Sequence, residues 1–310
     1  MLEAINITKQ FKKHKVVNEL NMYIEGGETV GLLGPNGAGK STTISMISSL
    51  VPPTSGDILF QRKSVLGNAK ELRKVLGLVP QEIAIYTDLS AKENLLFFGR
   101  IHRLTGKQLQ IRVDEVLEQI GLTDHKKELA KHFSGGMKRR LNIGASLMHN
   151  PEMIIMDEPT VGIDPQSRNY ILETVKQLNQ EKGMSILYTS HYMEEVEFLC
   201  DRIYIMDQGQ IIATGTKEEI KSILSSEKTL VVKVERFKQN FFERIRQEGV
   251  VKDVKASEQI ILITLPKAVN FFTRLFQLAE ETETTIISAE AKTPTLEDVF
   301  LHLTGRALRD

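Results

Sequence analysis

"GPNGAGKST", residues 34–42, is the stretch that decides the fold class of this chain. It matches the phosphate-loop pattern G-x-x-x-x-G-K-[ST] in full, after the strand-like "TVGLLG" and before the helix-like "STTISMISSL". Glycines in such a loop let several backbone N–H groups face a phosphate, and the following helix adds its positive dipole end. The alternative, a chance glycine-rich turn, is disfavoured by this strand–loop–helix context. We therefore predict a nucleotide phosphate site.

We assign the whole loop to nucleotide binding. Lys40 is expected to reach the β- and γ-phosphates, and the Ser41 hydroxyl is expected to ligate Mg²⁺. The other loop residues assigned to binding are Gly34, Pro35, Asn36, Gly37, Ala38, Gly39 and Thr42.

"PEMIIMDEP", residues 151–159, is expected to supply the acidic partner of this loop. Its apolar run predicts a buried strand that delivers Asp157 at its C-terminal end, where open α/β sheets bind ligands. Asp157 would hold Mg²⁺, and Glu158 would polarise an attacking water. A solvated acidic pair closing a strand is the alternative, and the phosphate loop elsewhere in the chain favours the catalytic reading.

Two domains are expected from the pattern along the 310 residues. Up to residue 222, short apolar runs alternate with helical patterns, which is typical of an α/β fold with a buried parallel sheet. Residues 85–140 break this rhythm and predict a mostly helical insertion. Residues 229–310, after the linker-like "SSEK", predict a strand–helix–strand–strand–helix–strand order, a small ferredoxin-like α+β domain that ends in a further helix.

Composition limits the classes of partner. Lys+Arg and Asp+Glu both number 40, so nothing indicates a globally basic nucleic-acid binder. The single cysteine, Cys200, excludes an intramolecular disulfide framework, fits a reducing cytosol and is expected to be a small buried hydrophobe. "MLEAINITKQFKK" lacks the features of a secretory signal, and no run reaches the length of a membrane span. Any membrane role would then be exercised from the cytosolic side, through a partner.

Six motifs in order, together with one aromatic residue, carry a resemblance to the nucleotide-binding subunits of ABC transporters, over residues 1 to about 222. Besides the phosphate loop and "DEP", "HFSGGMKRR" (132–140) resembles the family signature. The matching residues of the signature are Ser134, Gly135 and Gly136. The other motifs contribute Gln81 in "VPQE", Asp164 in "VGIDP" and His191 in "YTSHYMEE", and the aromatic residue is Phe11 in "TKQFKK". Taken alone, the histidine is more typical of a loop or N-cap residue, Phe11 of the core, and Gln81 is uninformative; their joint order favours function.

The resemblance implies a P-loop NTPase fold of the ABC type, with ATP and Mg²⁺ as cofactors. Gln81 would sense the γ-phosphate and metal and contact the membrane partner, His191 would be the switch histidine, and Phe11 would stack on adenine. Catalysis would thus involve Glu158, His191 and Gln81. Two such subunits, expected to be a homodimer, would close head to tail. Each ATP would then lie between the phosphate loop of one subunit and the signature of the other. Asp164 is counted among the nucleotide-binding residues.

The signature departs from the usual Leu-Ser-Gly-Gly-Gln of the family. Phe133 keeps an apolar anchor, and Met137 removes a polar side chain but leaves the serine hydroxyl and the glycine N–H groups, so we expect function to survive. The cationic residues Lys138, Arg139 and Arg140 follow on the same helix. Because they point around it, some are expected to face solvent or the acids of the helical insertion.

Three kinds of ABC protein remain to be distinguished: a transporter subunit, a soluble DNA-repair or chromosome ATPase, and a translation-type ATPase. The second kind usually carries long coiled-coil or zinc-bearing insertions and the third two ATP modules, whereas this chain has one module and a short insertion. "KTPTLEDVFLHLTGRAL" (292–308) resembles the ending of ABC-2 export subunits, which pump drugs, antibiotics or lipids, and the sequence looks similar to bacillus-type antibiotic-resistance exporters, including those acting on linearmycin-like polyenes.

The resemblance implies integral membrane permease subunits as partners, at the cytoplasmic face of the plasma membrane. The soluble ATPases of the same superfamily remain the alternative. We expect the C-terminal domain to contribute to contact between the two copies of a homodimer.

Overall fold

The computed structural model describes residues 1–223, 227–292 and 295–305. Two compact units are present, one containing Met1–Lys217 and the other Glu218–His302. Parts of two sequence features lie outside the described residues: positions 225 and 226 of the linker-like segment, and positions 293–294 and 306–308 of the C-terminal motif.

The first unit combines two sheets with helices. In chain order its strands are β1 (Leu2–Phe11), β2 (His14–Ile24), β3 (Thr29–Leu33), β4 (Ser55–Phe60), β5 (Lys63–Ser64), β6 (Leu76–Val79), β7 (Met153–Met156), β8 (Ser185–Thr189), β9 (Arg202–Asp207) and β10 (Gln210–Thr216). Its helices are α1 (Lys40–Ile47), α2 (Lys70–Val75), α3 (Ala91–Ile101), α4 (Gly106–Gln119), α5 (Gly135–Leu147), α6 (Pro165–Lys182) and α7 (Met193–Leu199), and α8 (Lys217–Ser222) follows.

The central sheet has the strand order β10-β9-β3-β8-β7-β6. The five strands β9, β3, β8, β7 and β6 run parallel to one another, and β10 pairs antiparallel with β9. Every residue of β3, β7 and β8 is buried, as expected for parallel strands covered on both faces. The carboxyl ends of β3, β7 and β8 therefore meet at one edge, and the candidate site lies there.

A second, antiparallel sheet of order β2-β1-β4-β5 was not predicted. The strand β1 lacks the clean alternation of buried and exposed residues that reveals a half-buried strand, because its pairing shifts register between Ala4 and Ile7. Asn6, inside this interval, has φ 48° in the left-handed region, which marks the irregularity.

The segment between β6 and β7 is helical, as the sequence predicted. Helices α3, α4 and α5 lie there with a short 3-10 turn at Ala130–His132. A capping box starts α3: the Ser90 hydroxyl accepts from the Glu93 N–H, and the Glu93 carboxylate accepts from the Ser90 N–H. This capping box marks the start of α3 in the sequence.

The second unit has the predicted ferredoxin-like order. Its elements are β11 (Glu227–Val234), α9 (Gln239–Arg246), β12 (Asp253–Ser257), β13 (Ile260–Pro266), α10 (Phe272–Glu281) and β14 (Ile286–Lys292), and α11 (Leu296–Thr304) follows. The strands form an antiparallel sheet of order β12-β13-β11-β14. Its core gathers alternate strand residues, such as Ile261 and Ile263, against Phe241 of α9 and Leu275 of α10.

Across the three described ranges, no helix combines the length and the apolar character that crossing a membrane requires.

Candidate active site

The phosphate loop connects β3 to α1 and is shaped by two glycines that no other residue could replace without movement. A Cβ atom on Gly34 would lie 2.3 Å from the carbonyl oxygen of Met206. Gly39, which precedes α1, has φ 107°, and a Cβ there would lie 2.7 Å from the carbonyl oxygen of Val16. The backbone of the loop thus passes directly against neighbouring backbone.

The turn between β9 and β10 is hydrogen-bonded to this loop. The Gly209 N–H, in the turn between β9 and β10, donates to the Ala38 carbonyl at 3.0 Å. The Asn18 N–H on β2 donates to the Gly209 carbonyl at 2.8 Å. The loop is therefore preorganised by the fold, while Asn36 and Gly37 at its tip remain exposed.

Lys40 is folded beneath the loop, with 6% of its surface exposed. Its Nζ donates to the carbonyl oxygens of Gly34 at 2.8 Å and Pro35 at 3.3 Å, and it lies 3.5 Å from Oε1 of Glu158. Three oxygens thus surround the ammonium group: two backbone carbonyls of the loop and one carboxylate oxygen of Glu158.

Asp157 and Glu158 follow β7 directly, as the sequence predicted, and both are buried. The Thr189 hydroxyl at the end of β8 donates to Oδ1 of Asp157 at 2.8 Å and accepts from the Glu158 N–H at 2.8 Å. Glu158 has φ 46°, a left-handed backbone conformation that is unusual for a glutamate. Asp157 and Glu158 follow each other in this turn but contact different partners, and Thr189 bonds to both residues.

Three predicted residues from separate segments converge on the Glu158 carboxylate. Oε1 faces Lys40, while Oε2 lies 3.3 Å from Nδ1 of His191 and accepts from Nε2 of Gln81 at 3.5 Å. These contacts are long, so each partner can leave without breaking a strong bond. The arrangement gathers two cations or potential cations and an amide donor around one buried carboxylate.

The signature residues lie in another part of the same unit. Ser134 caps α5, and its hydroxyl accepts from the Met137 N–H at 3.2 Å. A Cβ atom on Gly136 would lie 2.1 Å from Oγ of Ser167, so the signature packs against the start of α6. Phe133 is buried, as expected of an apolar anchor.

Asp164 caps α6, where its Oδ2 accepts from the Ser167 N–H at 2.9 Å. This backbone hydrogen bond, together with one from the Ser167 side chain, holds the pKa of Asp164 below its ordinary value. In one chain, then, Asp164 and the signature neighbour each other, while Lys40, Gln81, Glu158 and His191 form a separate group.

Two of the cationic residues after the signature bind the backbone of other segments. Arg139 is 4% exposed and donates to the carbonyl oxygens of Pro80 at 2.8 Å and Gln81 at 2.6 Å. Arg140 donates to the carbonyl oxygens of Ile120 and Gly121. Both arginines therefore bind backbone carbonyls, because the end of α4 and the Gln81 loop present oxygens that need donors.

Phe11 ends β1 with half of its surface exposed, which excludes the core role that it would have in isolation. The Lys9 ammonium lies 5.4 Å from the centre of its ring. Cys200, by contrast, is fully buried, and burial raises the pKa of its thiol. It packs as the small hydrophobe that the sequence predicted, against Gly31 of β3.

Comparison with known proteins decides the family. Residues 17–161 match the family model described as ABC transporter. The linearmycin resistance ATP-binding protein LnrL of Bacillus subtilis strain 168 is 51% identical, over 100% of both chains. This chain belongs to the ABC transporter family. It is an ATP-binding subunit of that family, as its ordered motifs predicted.

Other relatives agree. The daunorubicin resistance ATP-binding protein DrrA3 of Streptomyces coeruleorubidus is 33% identical over 96% of this chain and 93% of its own. Two solved structures match the fold of this ABC subunit. A dimeric ATP-binding cassette in a post-hydrolysis state, bound to ADP and Pi, has a TM-score of 0.64 and 27% identity over 70% of this chain and 98% of its own. CbiO1 from Clostridium perfringens, part of an ABC transporter complex, has a TM-score of 0.66 and 28% identity over 71% of this chain and 89% of its own.

The ABC subunit is therefore an ATPase with a P-loop NTPase fold, and the transporter class that the sequence favoured over soluble superfamily ATPases is confirmed. Sequence reasoning missed Thr189 and the buried Glu195 of α7. Both lie in "YTSHYMEE", but Thr189 bonds to Glu158 and Glu195 bonds to Thr160, far away in sequence, so the motif alone gives no sign of these contacts.

Proposed function

We propose that this subunit energises an ABC-2-type exporter of an antibiotic-like compound, from the cytoplasmic face of the plasma membrane. The convergence of Lys40, Gln81 and His191 on Glu158 carries the hydrolytic part of the proposal. The full-length similarity to a linearmycin resistance protein supports the class of cargo, with polyene-like antibiotics as the first candidates.

Glu158 acts as the general base in this proposal. A buried carboxylate close to a γ-phosphate can orient a water and accept its proton. In the structure its oxygens face Lys40, His191 and Gln81 over distances of 3.3–3.5 Å. The first two would turn to the γ-phosphate when ATP occupies the loop, leaving one carboxylate oxygen for the water.

Mg²⁺ fits the oxygen donors that the site offers. Ser41 contributes a hydroxyl next to Lys40, Asp157 a carboxylate that Thr189 orients, and Gln81 an amide oxygen. Such hard oxygen donors, few in number and complemented by phosphates and water, suit Mg²⁺. The ion would neutralise charge that accumulates on the phosphate oxygens.

Two copies would form two sites, head to tail. Ser134 and Gly135 are exposed at the N-terminus of α5, away from the Lys40 group of their own chain, and helix N-termini favour anions. The signature, with Gly136 and Asp164 beside it, would then contact the ATP held by the other copy. The exposed ring of Phe11 would stack on the adenine.

A cleft in the first unit suits a permease segment. Leu66 and Ile101 line it with roughly half of their surfaces exposed, and Lys70, Arg73 and Arg103 line it as well. An apolar lining with cationic residues suits a short amphipathic helix that carries acidic residues. We assign this cleft to the cytoplasmic side of the membrane partner.

Export is tested in cells that depend on the subunit for survival in a polyene antibiotic. The tagged full-length chain should co-purify from membranes with a multi-span protein, and Glu158→Gln should abolish survival while preserving co-purification. Glu152→Gln, a matched change of an exposed glutamate, should leave both unaffected. A protein that stays free of membranes and confers no survival would contradict the proposal.

The ferredoxin-like unit would add to contact between copies. On β13, Ile261 and Ile263 point to the core, whereas Ile260 and Leu262 are about two-fifths exposed on the opposite face of the sheet. Removing residues 229–310, or the single change Leu262→Glu, should weaken ATP-dependent dimerisation in analytical ultracentrifugation. Unchanged dimerisation of both variants would contradict this part.

A further inference from the structure

Glu195 is a buried carboxylate with no role in the mechanism described so far. It lies on α7, four residues after His191, with 2% of its surface exposed. Its neighbour Glu194 is exposed. Buried carboxylates are rare unless they are paired and hydrogen-bonded, so the surroundings of Glu195 show what keeps it there.

One oxygen of Glu195 accepts three hydroxyl groups. Oε2 lies 2.9 Å from Oγ1 of Thr160, 2.9 Å from the hydroxyl of Tyr188 and 2.7 Å from Oγ of Ser190. The other oxygen, Oε1, lies 3.6 Å from Nε of Arg168. The carboxylate therefore joins the loop before α6, the start of α6 and the end of β8 at a single point.

Ser190 connects this point to the histidine. Its hydroxyl donates to Glu195 and accepts from the Tyr192 N–H at 2.9 Å, which fixes the turn that carries His191. The ring of Tyr192 lies against the ring of His191, with 4.2 Å between centres, and under the guanidinium of Arg168, also at 4.2 Å. The position of the imidazole thus depends on groups that Glu195 holds.

Thr160 and Arg168 connect the same point to the loop of Asp164. They lie four residues before and four residues after Asp164, and both contact Glu195. The Asp164 loop and the histidine turn therefore both contact the same buried carboxylate.

We propose that Glu195 is a positioning residue for ATP hydrolysis, which holds the His191 turn and the Asp164 loop in one mutual arrangement. The roles of His191 and Asp164 rest on the proposed function. Glu195 itself is buried and does not contact Glu158; it acts through Ser190 on one side and through Thr160 and Arg168 on the other.

The test compares Glu195→Gln with the matched surface change Glu194→Gln in the full-length protein. The glutamine keeps the shape but puts an uncharged amide where the carboxylate faces Arg168. We expect kcat for ATP hydrolysis to fall by about tenfold or more, since small misplacements of catalytic groups have such effects, and KM for ATP to change by less than about twofold. Glu194→Gln should change neither. A wild-type kcat in Glu195→Gln would overturn the proposal.

A double-mutant cycle separates positioning from a purely structural role. In the His191→Ala background, adding Glu195→Gln should lower the residual rate by a smaller factor than in the wild-type background, because one of the two groups that Glu195 positions is already gone. The same fold loss in both backgrounds would overturn the proposal.

Two smaller changes decide the question if Glu195→Gln loses its cooperative thermal transition. Ser190→Ala and Thr160→Val each remove one hydroxyl and keep the carboxylate, and each should lower kcat with KM for ATP unchanged; normal kcat in both would overturn the proposal. Glu158→Gln in the same assay tests the proposed function separately. If it hydrolyses ATP normally, that function fails; if it does not, and Glu195→Gln does, only the positioning role fails.

Discussion

Nζ of Lys40 lies 3.5 Å from Oε1 of Glu158, and both side chains are buried. One charge belongs to the phosphate loop and the other to the end of β7. Two buried charges of opposite sign offset each other's loss of hydration, so each stabilises the other in place. The phosphate loop and the proposed base are therefore linked by this contact in the structure.

Lys40→Ala should weaken ATP binding and stop turnover. Hydrogen bonds to charged groups contribute about 1.5–3 kcal/mol, so the dissociation constant for ATP should rise by about ten- to a hundredfold. Isothermal titration calorimetry measures this change directly. Lys74→Ala, which removes an exposed lysine paired with Glu71, is the control and should bind ATP normally. Equal affinity in both variants would exclude Lys40 from phosphate binding.

Gly34→Ala should destabilise the phosphate loop, because the added Cβ would lie 2.3 Å from the backbone oxygen of Met206. Overpacking of this kind costs about 1–3 kcal/mol, and the shifted loop should also bind ATP less tightly. Gly26→Ala is the matched control, since a Cβ added there would meet no atom of the described residues within 4 Å. Thermal unfolding and calorimetry of both variants check the prediction, and equal Tm values would refute it.

Local signals made the phosphate loop, the helical segment and the end of β7 predictable. Each depends on residues close in sequence: glycines before Lys40, the capping pair Ser90 and Glu93, and four apolar residues before Asp157. The ferredoxin-like order was likewise readable, because strand and helix patterns alternate distinctly in residues 227–292.

The features that were not predicted depend on contacts between residues far apart in sequence. The antiparallel sheet was missed because the register shift around Asn6 breaks the alternation in β1. Thr189 and Glu195 gained their roles only when β7, β8 and the loop at Thr160 came together. Arg139 gives no sign in sequence that it will bind the carbonyls of Pro80 and Gln81.

Acid should destabilise the first unit partly through His149. Burial, and then the charge of His102 stacked 4.0 Å away, lowers the pKa of His149 to about 4 from its ordinary value. The folded state therefore favours the neutral ring. The contribution of His149 to the stability of the folded state is fully present above about pH 6.5 and is lost as the pH falls toward 4. His149→Gln should flatten the fall of Tm over this window, whereas His14→Gln, at an exposed position, should not. Parallel Tm profiles for wild type and His149→Gln would refute this assignment.

Glu158→Gln tests the central claim, that Glu158 is the base of an ATPase whose two sites form between two copies. Loss of a general base lowers rates by about a hundredfold or more, while the amide leaves the phosphate loop intact. The decisive measurement is size-exclusion chromatography with light scattering in ATP, with hydrolysis followed in the same sample. We predict an ATP-bound dimer with almost no hydrolysis; a monomer that hydrolyses ATP at the wild-type rate would contradict the claim.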